Sequence, residues 1–245
     1  MEPLERYDVT AVPPVWFDSS FAELVRRHPS LQAMRQFLEP PAPFAGQREL
    51  QQLTSSYRAH GYGSIFYALA RVLRPLVAVE IGIFQGFSLL SVAAALRDNA
   101  RGHITGFDLF DAYPYRHADR RQVSRQVAEL ELQPWVTLEA GDAHHIHDRW
   151  DAVDYLHVDV SNTGDTYRRV FTDWSGKVRQ VIVFEGGSAE RDVVDWMQRF
   201  DKPAIAPAVH ELRHAYPQWS FTVLGPFPSL TIACNRAAID TGIGA

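Results

Sequence analysis

Five carboxylates stand where short apolar runs end or turn, and their positions could do chemistry. Glu80 sits in Val77-Ala-Val-Glu-Ile, Asp108 closes Gly-Phe-Asp-Leu-Phe, and Asp142 follows in Glu-Ala-Gly-Asp-Ala. Asp159 closes Leu-His-Val-Asp, and Glu185 closes Val-Ile-Val-Phe-Glu-Gly-Gly. A carboxylate at such a place can accept charge-assisted hydrogen bonds from two hydroxyls, receive an amino group, hold a cation or take a proton from a reacting group. Any single one could equally cap a following helix; five at successive strand ends exceed what capping requires. Glu80 interrupts an otherwise apolar run, so burial there demands partners. Beyond it the chain turns through Gly82, Phe84, Gly86 and Ser88 into a second apolar segment. That pattern is a buried strand, a glycine-dependent turn and a helix start, the place where open α/β sheets bind nucleotide-like ligands. Glycines there let backbone lie close to a ligand.

The elements that must position these acids follow from the same pattern. Expected strands cover 77–81, 103–109, 136–139, 155–160 and 181–185, and expected helices cover 87–97, 118–130, 166–174 and 190–200. Strand–helix alternation of this kind predicts a parallel sheet with helices on both faces. Segments 219–224 and 230–233 flank Gly225-Pro-Phe-Pro-Ser229 and predict an antiparallel hairpin. Ahead of the sheet, Gly61-Tyr-Gly63 breaks a plausible helix over 47–57. Ser64 is then placed to N-cap a helix over 65–73, which Pro75 stops. Residues 1–46 are proline-rich, with helical signals around 17–27 and 31–38, and read as a cap. Trp16, Phe17 and Phe21 serve either its core or an aromatic lid. The division expected is a helical, irregular N-terminal cap over 1–60 and one α/β domain over 61–245.

Composition bounds the function. The 245 residues, 46% hydrophobic with a net charge of −5, suffice for one core, and no Lys/Arg run exceeds two residues, so a nucleic-acid partner is not expected. No apolar run approaches the roughly 20 residues of a membrane span, and no signal-peptide pattern opens the chain, so no membrane partner is expected. Cys234 is the only cysteine, which excludes an intrachain disulfide or a cysteine zinc cluster; a reduced, cytoplasmic location is the natural expectation.

Alternation alone suits a dehydrogenase, but the turn has E-x-G-x-x-x-G-x-S spacing, not the G-x-G-x-x-G of a dinucleotide site. Over roughly residues 60–235 the chain resembles the class I S-adenosylmethionine-dependent methyltransferases, in their catechol O-methyltransferase-like and natural-product branch. The resemblance implies a Rossmann-like fold with a seven-stranded, mostly parallel sheet ending in the antiparallel hairpin. It implies that Glu80, Gly82, Phe84, Gly86 and Ser88 face the methionine portion and ribose of S-adenosylmethionine. Asp108 matches the ribose acid with Leu109 and Phe110 beside the adenine, and Asp142 and Ala143 match the adenine edge. Tyr62 and Ser64 fall near the cofactor carboxylate, a looser match. Asp159 and Glu185 match the acids that hold a divalent metal such as Mg2+ in relatives. Gly186 stands where an Asp or Asn ligand is expected, so a metal-free site is favoured, with Asn162 or Asp165 able to fill the gap.

Methyl transfer asks the protein mainly for positioning, water exclusion and deprotonation of the acceptor. Asp159 and Glu185 are the candidate catalytic groups, with His145 from Ala143-His-His-Ile-His-Asp148 a further candidate; those histidines read more simply as solvated. His60 and His210 are other imidazoles able to act as base, and His157, two residues before Asp159 on the same face, reads as a core histidine. The expected activity is methyl transfer to a hydroxyl of a small-molecule acceptor, a secondary metabolite or sugar, and a homodimer is compatible with it. The alternative is a protein of the same fold that binds the cofactor and catalyses a non-methylating reaction or serves as a partner subunit.

Overall fold

Strand β2 (Val77–Ile81) is the axis on which the chain is built. Its β-branched residues suit a strand buried on both faces, and only Val77 at its start is not buried. It lies between β3 (His103–Asp108) and β5 (Val153–Val158), parallel to both. The computed structural model describes residues 6–8, 53, 55–57, 62–113, 118–225 and 228–240.

The sheet continues outward through β4 (Val136–Ala140) on one side and β6 (Val178–Glu185) on the other. Strands β7 (Trp219–Gly225) and β8 (Leu230–Asn235) form the expected antiparallel hairpin, with β8 inserted beside β6. The order is β1-β7-β8-β6-β5-β2-β3-β4. Seven of these strands are the expected set. The eighth, β1 (Arg6–Asp8), joins the outer edge parallel to β7. Successive strands run one way from β2 to β4 and the other way from β5, so the order reverses between β2 and β5. Ligands in open α/β sheets bind outside the strand ends at such a reversal.

Helices cover the sheet. α1 (Tyr62–Leu73) packs on α2 (Phe87–Asp98), whose Ala- and Leu-rich stretch is buried on nearly every side. Helix α3 (Arg120–Glu129) starts at Asp119, which accepts from the amides of Arg121 and Gln122 at 2.9 and 3.1 Å. α4 (Gly164–Trp174) buries Tyr167, Val170, Phe171 and Trp174 on one stripe. α1 begins at Tyr62, so Ser64 lies in its first turn and is not the N-cap.

Beyond β6 the expected single helix is two short ones, α5 (Ala189–Asp192) and α6 (Asp195–Arg199). The break frees the Asp192 carboxylate to accept from the amides of Ile205 and Ala206, at 2.6 and 2.8 Å. Those are first-turn donors of α7 (Ile205–Ala215), a helix not among those expected; the described residues end in α8 (Arg236–Asp240). The cap helices over 17–27 and 31–38, and Trp16, Phe17 and Phe21, lie outside the described residues. Leu53 and Tyr57, from the segment ahead of α1, are buried in the core.

Candidate active site

The turn after β2 is held from two sides. Gly82 donates its amide to the Phe107 carbonyl at 2.8 Å, and Asp159 donates its own to the Ile81 carbonyl at 2.8 Å. Gly82 has φ +91, and a Cβ there would overlap the Asp159 carbonyl oxygen and lie 2.8 Å from Val160 Cγ1. Its lack of a side chain is therefore required by the neighbouring strand end. Phe84 also holds a positive φ of 47, and Gly86, at φ +84, opens α2 with no side-chain cap. Left-handed backbone at a non-glycine residue is a strain found most often at functional turns.

Asp108, at the end of β3, locks this turn. Its Oδ2 accepts from the amides of Ile83 at 2.9 Å and Phe84 at 3.3 Å, and its Oδ1 accepts from Phe110 at 2.9 Å. An ionised carboxylate has about four acceptor sites, so one on Oδ1 is left over after these bonds, on a residue that lines the cavity. Beyond β4, Asp142 is exposed and its Oδ1 accepts from the His144 amide at 3.0 Å.

At the other end stand Asp159 and Glu185, and every one of their four carboxyl oxygens already accepts from a protein donor. The Asn162 side-chain amide gives 2.8 Å bonds to Asp159 Oδ1 and to Glu185 Oε2. The Tyr57 hydroxyl donates to Asp159 Oδ2 at 2.8 Å, and Arg191 Nε donates to Glu185 Oε1 at 2.7 Å. The Arg191 side chain is only 4% exposed. Burial, then the charge of Asp159, pushes the Glu185 carboxyl well above the usual carboxylate range, against the pull of Arg191. One cation faces two carboxyl groups, so a proton kept on Glu185 neutralises the cluster. Burial, with the nearby Asp159 and Glu185 charges, likewise pushes the Tyr57 phenol well above 10, which keeps it a donor.

Gly186 has φ +98, and a Cβ there would lie 2.8 Å from Ile205 Cδ1. Its carbonyl accepts from Thr231 Oγ1 at 2.8 Å and its amide bonds the Ser229 carbonyl at 2.8 Å, which ties the turn to β8. The backbone that carries Glu185 is thus built for glycine. Among the described residues no group of three or more His, Cys, Asp or Glu could hold a metal ion.

These pieces enclose one cavity of about 730 Å³, within the few-hundred to roughly 1,000 Å³ range of small-molecule sites. Gly82, Phe84, Ser88, Asp108, Leu109, Asp142, Ala143, Asp159 and Glu185 line it. Glu80 does not. It is fully buried beneath the turn, accepts from Ser88 Oγ at 2.8 Å, and has Oε2 3.2 Å from Nδ1 of the equally buried His157. Phe110 packs into the core, unlike its neighbour Leu109. Tyr62 is fully buried, its hydroxyl 3.4 Å from the Leu224 carbonyl, and stands outside the wall. His145 is exposed and also outside the wall, whereas His144 lines it. His210 stacks near His214 on α7, away from the cavity, and His60 lies outside the described residues. Of the two gap-fillers considered, Asn162 is in the cluster; Asp165 is exposed and pairs with Arg168 at 3.0 Å.

Sequence reasoning missed Ser55, Ser56 and Tyr57 on the acceptor-side wall, and missed the link from Arg191 to Glu185. No motif marks Tyr57; only its place shortly before the glycine break at 61–63 hints that its chain segment bends toward the sheet.

A family model described as a methyltransferase domain matches residues 79–184, from within β2 to the end of β6. The matched stretch and the strand order show a Rossmann-like fold of the class I methyltransferase type. Among solved structures, the chain is similar to the O-methyltransferase TomG of Streptomyces achromogenes, in complex with SAM, at 20% identity. That match covers 89% of this chain and 90% of that one, with a TM-score of 0.56. An O-methyltransferase from Bacillus cereus in complex with SAH matches at 16% identity over 91% and 93%, TM-score 0.57. A SAH-bound methyltransferase of Podospora anserina matches at 14% over 88% and 87%, TM-score 0.55. The comparison with curated proteins finds no match.

Proposed function

We propose that the chain transfers a methyl group from S-adenosylmethionine to a hydroxyl oxygen of a small-molecule acceptor, a secondary metabolite or sugar, with Asp159 taking the hydroxyl proton and no resident metal. The observation that carries the metal-free part is the full set of protein donors on Asp159 and Glu185, with the buried Arg191 as cation. A magnesium ion needs several oxygen ligands in near-octahedral array, and here a buried guanidinium already supplies the cation beside Glu185.

The residues present fit the cofactor. Asp108 keeps an acceptor site for a ribose hydroxyl after holding the turn, Leu109 offers an apolar face, and Asp142 stands exposed for an amino group. When bound, the cofactor supplies an electrophilic methyl on a sulfonium. Two of the solved neighbours are named O-methyltransferases, and one of these, TomG, is involved in tomaymycin synthesis, which supports an oxygen acceptor and a metabolite.

On the acceptor side the two acids divide their work by environment. Glu185, pushed up by burial and by Asp159, holds its proton and anchors Asn162 and Arg191. Asp159 lines the cavity, oriented by Tyr57 and Asn162, and is left to accept the acceptor's proton. His145 is given no step.

The test is transfer of labelled methyl to a panel of hydroxylated small molecules, with and without EDTA. Transfer should survive chelation. Asp159→Asn should lower turnover by about 10²–10⁴, the usual worth of a positioned base, with SAH affinity by calorimetry nearly unchanged. Loss of transfer in EDTA with recovery in Mg2+ would overturn the metal-free reading.

A further inference from the structure

Directly beneath the cavity floor lies a buried imidazole that the proposed chemistry does not use. His157 and Glu80 are register partners across β2 and β5, so their side chains share a face. Both are 0% exposed, and Nδ1 of His157 lies 3.2 Å from Glu80 Oε2, close but not aligned as a hydrogen bond. On its other edge, Nε2 is 3.4 Å from the Tyr57 hydroxyl. The ring is held by aromatic neighbours, its centroid 4.8 Å from Phe66 and 6.0 Å from Tyr57, and Phe66 also meets Tyr57 edge-on at 5.1 Å.

Counting protons fixes the direction of this chain. Tyr57 has one proton and two neighbours. The short 2.8 Å bond to the Asp159 carboxylate takes it, since a hydrogen bond to a carboxylate is stronger than one to a neutral ring nitrogen. The Tyr57 oxygen therefore accepts from His157, which assigns the proton to Nε2. A histidine serving only as core filler would have no reason to bridge an acid under the cofactor turn and a phenol on the acceptor wall.

We propose that His157 is a positioning residue for the acceptor side: by donating through Nε2 it fixes the Tyr57 hydroxyl so that its single proton points at Asp159. The inference rests on the reading of Asp159 as the group that serves the acceptor.

The experiment needs no acceptor. Protein labelled with 15N at histidine is observed through long-range imidazole correlations, and the His157 signal is assigned with His157→Gln. Where that variant does not fold, contacts from the Phe66 and Tyr57 ring protons make the assignment. The expected signature is a ring that carries a proton at Nε2, with that proton protected from exchange. Tyr57→Phe should remove the protection and shift the signal. Asp159→Asn should shift it as well, because it changes what Tyr57 donates to and so reaches the imidazole through the phenol. A ring without a proton at Nε2, or a signal that ignores both substitutions, would overturn the proposal. Unchanged turnover in Asp159→Asn, measured with labelled methyl, would instead refute the base reading and leave the imidazole signature standing.

Discussion

Replacing Arg191 with methionine tests whether the acceptor end runs on an internal cation. The side chain volume is roughly kept while the charge and the 2.7 Å bond to Glu185 are lost. The two side chains are 4% and 11% exposed, so the pair is buried. Breaking a buried pair from one side costs about 3–5 kcal/mol, because a charge is left without its partner. Glu185 escapes part of that cost: burial and Asp159 already push its carboxyl up, so it can keep a proton. The lower end, about 3 kcal/mol, is therefore expected, and at roughly 2–4 °C per kcal/mol for a domain of this size the melting temperature should fall by about 6–12 °C. Glu185→Gln in the same background should recover at least about 1 kcal/mol of coupling in a double-mutant cycle. Scanning fluorimetry and urea midpoints give both numbers. Magnesium should raise the melting temperature of Arg191→Met, whose two carboxyl groups and Asn162 amide lack a cation, and leave the wild type unmoved. A fully stable Arg191→Met, or a wild type stabilised by magnesium, would refute the argument.

Two further outcomes follow from the same geometry. A raised carboxyl favours the fold in its protonated form, so the Glu185 contribution is whole below its ordinary value of 4.5 and is lost as pH climbs through the folded-state value. The melting-temperature advantage of Glu185→Gln over wild type should thus grow between about pH 5 and about pH 8, and a constant difference would show that Glu185 does not hold the proton. Gly82→Ala must place a Cβ against the Asp159 carbonyl at φ +91. Left-handed backbone costs about 1–2 kcal/mol and overpacking a further 1–3 or so, so urea unfolding should show a loss of about 2–5 kcal/mol; an unaltered midpoint would mean the two strand ends separate freely.

What could be read from the sequence was local. An apolar run closed by an acid is written in consecutive residues, so the strands bearing Asp108, Asp159 and Glu185 and the hairpin of β7 and β8 were legible, and the acids do line one cavity. What failed was set by distant contacts. The stretch 190–200 has helical composition throughout, yet it breaks because the Asp192 carboxylate is used to cap α7. The helix Ile205–Ala215 itself carries a proline near its start and no capping side chain of its own, so its first-turn donors are met from another element. Glu80 was legible as a buried acid needing partners, but its partners, Ser88 and His157, face it from under the turn and away from the ligand. Tyr57 gave no signal, because a single tyrosine ahead of a helix becomes part of a site only when β5 brings Asp159 beside it.

Glycine at position 186 is required by more than one neighbour. The residue sits at φ +98, a conformation that a side chain adopts only under strain, and its Cβ direction points at Ile205 Cδ1 and Arg191 Cγ, at 2.8 and 3.2 Å. Ile205 opens α7, and α7 is anchored there by Asp192, one residue beyond the arginine bonded to Glu185. The turn, the buried arginine and the helix placement are therefore one arrangement. A carboxylate or amide placed at 186 would collide with Ile205 and crowd the Arg191 side chain. The acid that ends β6 is held by a cation from the next turn of its own chain, and the acid that follows β5 shares the cavity wall with it, with Tyr57 and His157 behind.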